Sequence, residues 1–365
     1  MVVLDDLFKK VVVRDAEVVF DFAVSNPPYQ ATTFSSNKGA AVTIYHHFMK
    51  TAQEVSRFVS MIYPARWMTG TNGYKVEEFK TNELRSKKYQ KMFIVSGEKS
   101  VFDNVTIKGG INYFLWDAEH DSKTEYVFDG EVELRDTLIN GFDVMIRDPR
   151  HSKIVETVGT VNTLASLVMS RNHYGTVIES DHRIESFPIV ENGMNVLYSG
   201  KGGGVKSRCV SPDVINKPIG DWKVFVSKTA DPDVNTTMRR SGRVILAAPN
   251  VVCSNSFLKV GSFSTQLEAE NLVRYLKTDL VTFLFGVITV TQNSTRRNYA
   301  LVPDVDFSTG VILDKPDFSL DFSRHEELDE QLFDAFNIEV EDRVFISSIV
   351  RPWKGKFDID ADGLF

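Results

Sequence analysis

Residues 16–29 read AEVVFDFAVSNPPY, and this stretch decides the fold. Its first ten residues are rich in β-branched and aromatic side chains, a composition typical of a buried strand. The Asn-Pro-Pro-Tyr sequence that follows, from Asn26 to Tyr29, ends the strand because proline has no amide hydrogen for a sheet hydrogen bond. The sequence therefore predicts a buried strand followed by a rigid loop, which we call the NPPY loop.

The NPPY loop has the chemistry to hold an amine. The two prolines fix the backbone, so the carbonyls of Asn26 and Pro27 stay free as acceptors beside the Asn26 side-chain carbonyl. Such acceptors suit the two hydrogens of an exocyclic amine, and orientation of this kind is worth an effective molarity of about 10⁵ M or more. Tyr29 offers a flat ring on which the base carrying the amine can stack. A Pro27-Pro28 turn that only ends the strand is the alternative interpretation.

Strands and helices alternate after the loop, and this alternation predicts an α/β sheet. The predicted helices span 44–57 and 76–88, and the predicted strands span 58–63, 91–96, 105–116 and 125–130. From about residue 155 onward short strands and polar loops follow. In that part the predicted helices span 161–171, 266–276 with Thr265 as the cap, 326–337 and 342–350.

Three segments resemble motifs of the N6-adenine DNA methyltransferases. DFAVSNPPY at 21–29 resembles motif IV, FVSMIYPARWM at 58–68 resembles motif VI, and SVFDNVTIKGGINYFLWD at 100–117 resembles motif VIII with its following hairpin. The order of these motifs is that of the gamma class found in type II restriction-modification systems. The later segments DWKVFVSK (221–228), GSF (261–263), EAEN (268–271) and YALVP (299–303) are similar to the TaqI-like specificity domain.

The resemblance implies a role for each residue of the site. Asn26 and the Pro27 carbonyl would hold the adenine amine, with Pro28 completing the motif, and Tyr29 would stack on the base. The base must be flipped out, because the amine of a paired adenine is unreachable inside the duplex. Phe102 would lie on the other side of that base, although a core aromatic is the alternative. Lys108 lies nearby in the sequence and is taken as a DNA contact.

The resemblance also implies a fold class, an incomplete Rossmann-like methyltransferase core followed by an α+β target-recognition domain. We place the partial catalytic domain at 1–130, a linker at 131–155 and the recognition domain at 156–365. The family holds its cofactor, S-adenosylmethionine, by a glycine-rich loop before motif IV. Residues 1–25 contain no glycine, so we expect a chain truncated relative to the family. Asp6 weakly resembles the acidic residue that contacts the cofactor, and a solvated acidic turn is the alternative.

Charge is unevenly distributed. The chain of 365 residues carries a net charge of −7, which by itself argues against a nucleic-acid partner. Residues 303–345 hold 13 acidic and 3 basic residues, a local −10 that leaves +3 on the rest. Residues 201–245 hold nine basic residues against four acidic ones. The basic residues predicted to contact DNA here and in a later loop are Lys201, Lys206, Arg208, Lys223, Lys228, Arg239, Arg240, Arg243, Arg296 and Arg297. Solvated loop charges are the alternative.

These observations predict a DNA adenine-N6 methyltransferase component of a restriction-modification system that methylates a flipped adenine in double-stranded DNA. A separate cofactor-binding polypeptide or a restriction endonuclease is the expected protein partner. The alternative is a catalytically inactive DNA-binding or specificity subunit, or a degenerate methylase. Two cysteines indicate neither a disulfide framework nor a zinc site, and no metal is expected. The absence of a signal peptide and of a long apolar run predicts a cytoplasmic protein with no membrane partner.

Overall fold

The computed structural model describes residues 20–32, 41–68, 74–96, 101, 109–138, 145–169, 173–175, 178–200, 204–215, 219–229, 238–289, 293–353 and 355–359. The chain divides into two units, Met1–Ser152 and Lys153–Phe365. Both units contain helices and strands, so the mixed α/β class predicted from the sequence is confirmed. Among the described residues, no helix is long and apolar enough to cross a membrane.

The first unit contains eight strands and two helices among its described residues. Its strands are β1 (Phe20–Ser25), β2 (Gln30–Thr32), β3 (Ala41–Thr43), β4 (Ser56–Pro64), β5 (Tyr89–Val95), β6 (Ile111–Asp117), β7 (Thr124–Phe128) and β8 (Glu131–Arg135). Its helices are α1 (Tyr45–Val55) and α2 (Tyr74–Arg85), and α3 (Pro149–Val158) crosses the boundary between the units.

Six of these strands form one sheet in the order β1-β4-β6-β5-β7-β8. β1 runs parallel to β4, and β5 runs parallel to β7, whereas β6 is antiparallel to both β4 and β5. The carboxyl ends of β1, β4 and β5 therefore lie at the same end of the sheet, together with the start of β6. This arrangement brings the NPPY loop, the turn that follows β4 and the start of β6 to one end of the sheet.

One face of the sheet carries the core of the first unit. Val59 and Tyr63 of β4 are fully buried on this face, because apolar residues alternate with more exposed ones along the strand. Tyr45 of α1 stacks on Tyr63 with ring centroids 4.8 Å apart. Trp67, in the short 3-10 helix that follows β4, donates a hydrogen bond of 3.4 Å to the buried amide of Asn112 on β6. These contacts fix the turn after β4 against the start of β6.

A glycine pair shapes the entry to β6. Gly110 has φ +79°, and a Cβ on it would lie 2.4 Å from the carbonyl oxygen of Val95. Its own carbonyl accepts a hydrogen bond of 2.9 Å from the backbone amide of Ala65. Only glycine combines this backbone conformation with such a close approach. Gly110 therefore lets the start of β6 lie close to the ends of β4 and β5.

The second unit contains two three-stranded sheets. Its strands are β9 (Met194–Ser199), β10 (Val205–Val210), β11 (Trp222–Ser227), β12 (Val244–Ala247), β13 (Val251–Cys253), β14 (Phe257–Phe263), β15 (Val311–Ile312) and β16 (Lys315–Ser319). Its helices are α4 (Asp181–Ile184), α5 (Gln266–Leu276), α6 (Asp279–Val287), α7 (Leu328–Ala335) and α8 (Val340–Ile349). The sheet orders are β10-β9-β13 and β12-β11-β14, and α5 packs against β11 and β12.

Most predicted elements occur close to their expected bounds. Thr265 caps α5 in a capping box with Glu268, as predicted. The predicted helix at 161–171 is wrong, because Leu164–Leu167 forms only a 3-10 turn and Thr163 and Val168 form β-bridges on either side of it. The predicted linker at 131–155 is wrong over β8, which pairs with β7 as the last strand of the sheet.

The glycine turn gives a test of the first unit. Gly110→Ala should lower the free energy of unfolding by more than Gly130→Ala, measured by urea denaturation. Both glycines have positive φ, at +79° and +98°, so both variants carry a backbone strain of roughly 1–3 kcal/mol. A Cβ at Gly130 meets nothing within 4 Å, whereas at Gly110 it also collides with Val95. Equal losses for the two variants would contradict the close approach.

Candidate active site

The NPPY loop leaves the sheet at the carboxyl end of β1. The last residue of β1, Ser25, pairs with Met61 of β4, so the loop begins beside the last residues of β4. After the loop in the sequence, β2 pairs antiparallel with β3, and Gln30 lies opposite Thr43. The backbone amide of Ile44 donates a hydrogen bond of 3.2 Å to the Tyr29 carbonyl. The loop is thus held at both ends by ordered backbone pairing.

Within the loop, burial alternates. Pro27 is buried, whereas Asn26 and Pro28 are exposed. The Asn26 side chain has no hydrogen-bond partner among the described residues, and its exposure makes the amide oxygen accessible to a ligand. A buried proline beside an exposed asparagine holds the backbone still while presenting the polar side chain to a ligand.

Tyr29 is half-buried and packs against the core of the first unit. Its hydroxyl is buried without a hydrogen-bond partner in the part of the chain that the structure describes. Burial raises the pKa of Tyr29, so the phenol stays protonated at neutral pH. The ring is therefore fixed by packing next to Asn26, and its hydroxyl is a donor that nothing described satisfies.

The turns beside the NPPY loop come from the other two motif-like segments. The sequence after β4 continues through the 3-10 helix Ala65–Met68, and the entry to β6 is Gly109-Gly110. The half-buried Arg147 side chain donates a hydrogen bond to the Gly109 carbonyl, and the Tyr126 hydroxyl donates one of 2.5 Å to the Arg147 carbonyl. Sequence reasoning missed Arg147, because an isolated arginine carries no local signal of a tertiary contact. Phe102 and Lys108 lie outside the described residues.

No element for holding S-adenosylmethionine is found next to β1 among the described residues. The only described strand that pairs with β1 is β4. The glycine-rich segment starting at Gly200 joins the antiparallel strands β9 and β10, and the Gly200 amide donates a hydrogen bond of 2.8 Å to the Gly204 carbonyl. A hairpin turn lacks the helix N-terminus that a cofactor phosphate or carboxylate loop uses. The described residues therefore do not fit the cofactor, and Asp6 lies outside them.

Several predicted DNA-contacting residues lie on adjoining loops of the second unit. The Ser227 backbone amide donates a hydrogen bond of 3.0 Å to the Arg243 carbonyl. The Ser294 backbone amide donates one of 2.7 Å to the Lys228 carbonyl. Arg296 and Arg297 follow on the 3-10 helix Arg296–Tyr299. Backbone hydrogen bonds thus join the segments that carry four of the basic residues, which lie far apart in the sequence.

Several predicted DNA contacts have protein partners, among them Arg296, whose Nε donates a hydrogen bond of 2.7 Å to the Ala165 carbonyl. Lys206 forms an ion pair of 3.7 Å with Glu185, and the Arg208 guanidinium donates a hydrogen bond of 2.7 Å to the Phe187 carbonyl. Arg240 lies 4.3 Å above the Trp353 ring. Arg239 is half-buried and Lys201 lies outside the described residues. Exposure and a single partner leave Lys206 able to reach a phosphate.

Lys223 is the exception in the predicted set, because it is fully buried. Its ammonium donates a hydrogen bond of 2.7 Å to the Asp221 carbonyl and lies 3.7 Å from the Asp221 carboxylate. The same carboxylate forms an ion pair of 2.6 Å with Lys259. Burial lowers the pKa of Lys223 to about 8. A buried lysine with partners inside the protein cannot contact a DNA phosphate. We therefore remove Lys223 from the predicted DNA contacts. Its place in the apolar run of β11 was a signal of burial.

Comparison with known proteins identifies the first part of the chain. Residues 5–102 match the model of the Eco57I restriction-modification methylase family. This segment is therefore similar to the restriction-modification methylases. An uncharacterized adenine-specific methylase from Mycoplasma pneumoniae (strain ATCC 29342 / M129) is 31% identical over 107 residues. That match covers 29% of this chain and 25% of the relative, so the chain spans about a quarter of the curated methylase that it matches.

Two solved structures resemble the chain at low identity. The type IIG restriction endonuclease BpuSI is 13% identical with a TM-score of 0.34, over 92% of this chain and 52% of that one. The type IIL restriction-modification enzyme MmeI, solved in complex with DNA, is 10% identical with a TM-score of 0.46, over 90% of this chain and 56% of that one.

Proposed function

We propose that this restriction-modification methylase segment holds adenine for methylation of its N6 amine in double-stranded DNA. The observation that carries the proposal is the exposed Asn26 side chain, held beside the buried Pro27 at the carboxyl end of β1. Ligands of open α/β sheets bind outside the carboxyl ends of parallel strands. The match of residues 5–102 to methylases, and the adenine specificity named for the relative, support the choice of base.

The proposed catalytic fold is the second half of a Rossmann-like methyltransferase core. Its support is the parallel pair β1 and β4, the parallel orientation of β5, and the antiparallel β6 inserted between β4 and β5. In this proposal the first unit is the partial catalytic domain and the second unit is the target-recognition domain, of the TaqI-like type predicted from the sequence.

The proposed mechanism uses the loop to orient the amine. The Asn26 side-chain carbonyl and the Pro27 backbone carbonyl accept the two amine hydrogens, while Tyr29 stacks on the adenine after the base has left the duplex. Phe102 is the proposed support on the opposite face of the base. S-adenosylmethionine is the methyl donor that the family implies. Fixing a weak nucleophile in this way removes much of the entropic cost of the reaction.

The proposed DNA surface consists of the adjoining loops that carry Lys228, Arg243, Arg296 and Arg297, with further contacts from Lys108, Lys201, Lys206, Arg208, Arg239 and Arg240. Arginine and lysine on polar loops bind phosphates, and arginine also reads guanine edges. A DNA substrate also implies a cytoplasmic protein. The proposed protein partner is a polypeptide that supplies the cofactor site, and a restriction endonuclease is the other partner expected of such a system.

A second candidate function is a DNA-binding or specificity subunit without catalysis, or a degenerate methylase. The observation that favours it is the lack of any described element that fits S-adenosylmethionine. The two candidates differ in one property, because only the first needs the free Asn26 acceptor.

Substitution of Asn26 tests the catalytic proposal. In the chain supplied with a cofactor-binding polypeptide, Asn26→Ala should lower transfer of a labelled methyl group from S-adenosylmethionine to duplex DNA by about 100-fold or more, because the amine loses an oriented acceptor. Asn26→Asp keeps an acceptor oxygen and should retain more activity than the alanine variant. Both variants should bind duplex DNA within about twofold of the unsubstituted chain. Full activity of Asn26→Ala would refute the proposed role.

Salt dependence of binding tests the DNA surface. Arg243→Ala should weaken duplex binding and lower the slope of log affinity against log salt by about one, because one phosphate contact is lost. Lys223→Met is the matched control, since its ammonium is buried against Asp221 and should leave the slope unchanged. A changed slope for Lys223→Met, or an unchanged one for Arg243→Ala, would contradict the assigned surface. Circular dichroism checks that both variants fold.

A further inference from the structure

The second unit contains an open cleft where β11 begins and β14 ends. Its volume is about 590 Å³, and small-molecule sites commonly measure about 300–1,000 Å³. The described residues that line it include Gly220, Asp221, Lys259, Ser262 and Phe263, all of the second unit. The cleft therefore has the size of a ligand site.

Two lysines share one carboxylate in the wall of this cleft. The Lys259 ammonium lies 2.6 Å from one oxygen of the Asp221 carboxylate, and the buried Lys223 ammonium lies 3.7 Å from the other. The Ser262 hydroxyl donates a hydrogen bond to the same carboxylate. Asp221 is thus engaged by the protein, and the three charged groups together carry one net positive charge. Because a buried charge is stabilised by a counterion, this wall favours an anionic ligand.

Lys259 has hydrogen-bond donors to spare. Its side chain is only 5% exposed, yet it lines the cleft. An ammonium carries three N–H donors, and in the part of the chain that the structure describes only the Asp221 carboxylate accepts from this one. The Tyr174 ring lies 5.8 Å from the Lys259 Nζ. The remaining donors suit the oxygens of a phosphate, with which ammonium groups form strong charge-assisted hydrogen bonds.

Glu268, an acid beside the cleft, opposes an anion only weakly. Ser264 lines the cleft, and its hydroxyl donates a hydrogen bond of 3.0 Å to Glu268. The same carboxylate accepts hydrogen bonds from the backbone amide and the hydroxyl of Thr265 in the capping box of α5. These contacts hold the carboxylate at the helix N-terminus, where the partial positive charge of the helix offsets it.

Phe263 gives the cleft an aromatic wall whose position is fixed. Its ring meets the Phe307 ring edge to face, with centroids 5.8 Å apart and an interplanar angle of 85°. The ring also packs over Gly261, where an added Cβ would lie 2.3 Å from it. An aromatic side chain that is already held in place binds a second flat ring by stacking at a low entropic cost.

The cleft is separate from the loops that we propose contact DNA. Asp221 precedes the first residue of β11, whereas Lys228 follows its last residue, Ser227. Arg243 lies at the same end as Lys228, because the Ser227 amide donates a hydrogen bond to its carbonyl. A strand of this length spans about 20 Å. The cleft and the basic loops thus lie at opposite ends of one sheet.

We propose that this cleft binds a small ligand that joins a phosphate to an aromatic ring, the chemistry of a mononucleotide. The phosphate accepts hydrogen bonds from Lys259, and the ring stacks on Phe263. This inference goes beyond the proposed function, because the ligand is neither the DNA nor the methyl donor and its site lies in the second unit.

Calorimetric titration of adenosine monophosphate into the full 365-residue chain tests the ligand class. We expect saturable binding of one molecule per chain. Adenosine lacks the phosphate and inorganic phosphate lacks the ring, so each should bind about tenfold or more weakly, because each loses one set of contacts. No saturable binding of adenosine monophosphate, or equal binding of adenosine, would overturn the proposal.

Two variants with matched controls test the place of binding. Lys259→Met should weaken binding of adenosine monophosphate about tenfold or more, because a charged donor is lost. Lys91→Met, at a lysine of the first unit that is 42% exposed, should bind normally. Gly220→Trp should block the cleft, whereas Gly204→Trp should not. Both glycines are exposed and a Cβ on either meets nothing within 4 Å, so both tryptophan variants should fold.

The outcomes separate the cleft from the proposed adenine site and DNA surface. Unchanged affinity for adenosine monophosphate in Gly220→Trp, or in a Lys259→Met variant whose circular dichroism is unchanged, would overturn the inference. Loss of binding in Asn26→Ala, or displacement of the bound nucleotide by duplex DNA, would overturn it as well. Binding that depends on Gly220 in a chain that binds no duplex DNA would support the cleft and refute the proposed function. If Lys259→Met fails to fold, the Gly220→Trp result decides.

Discussion

The parallel pairing of β1 with β4 is the constraint on which the first unit depends. Its register sets Phe22 opposite Phe58 and Ser25 opposite Met61. A slip of one residue would exchange the two faces of β1 and move Ala23 away from the core it packs against. The same register places the NPPY loop beside the turn after β4. In that turn the Ala65 amide donates a hydrogen bond to the Gly110 carbonyl. The position of Asn26 is therefore a consequence of strand register as much as of the two prolines.

Local features of the sequence predicted much of this arrangement. The apolar run before Asn26, the helical stripe before β4 and the Thr265 cap each correspond to an element of the structure. These signals are local, since strand composition, helix periodicity and capping depend on neighbours within a few residues. The resemblance to adenine methylases of restriction-modification systems is confirmed over residues 5–102. The gamma-class order, the TaqI-like recognition domain and the roles of individual residues stay predictions.

The sequence is least informative where distant parts of the chain decide the outcome. It gives no strand order, and the Gly110 turn and the Asn112 contact with Trp67, which hold the start of β6 beside β4, have no periodic signal. The segment after Thr163 was predicted to be helical from its apolar spacing, but Thr163 bridges to Pro303 and Val168 to Val260. The charge of Lys223 predicts a DNA contact, but its side chain is buried and its ammonium donates a hydrogen bond of 2.7 Å to the Asp221 carbonyl. In both of these segments the folded structure overrides a local pattern.

The first unit combines a loop that we propose holds an amine with a six-stranded sheet whose core lies on one face. A site that orients a nucleophile is of use only when the methyl donor is held next to it, and the described residues lack an element that fits this donor. Calorimetric titration of S-adenosylmethionine into the purified 365-residue chain is the most direct measurement of this central claim. We expect no saturable binding at sub-millimolar concentrations, and sub-millimolar binding by the chain alone would contradict this expectation.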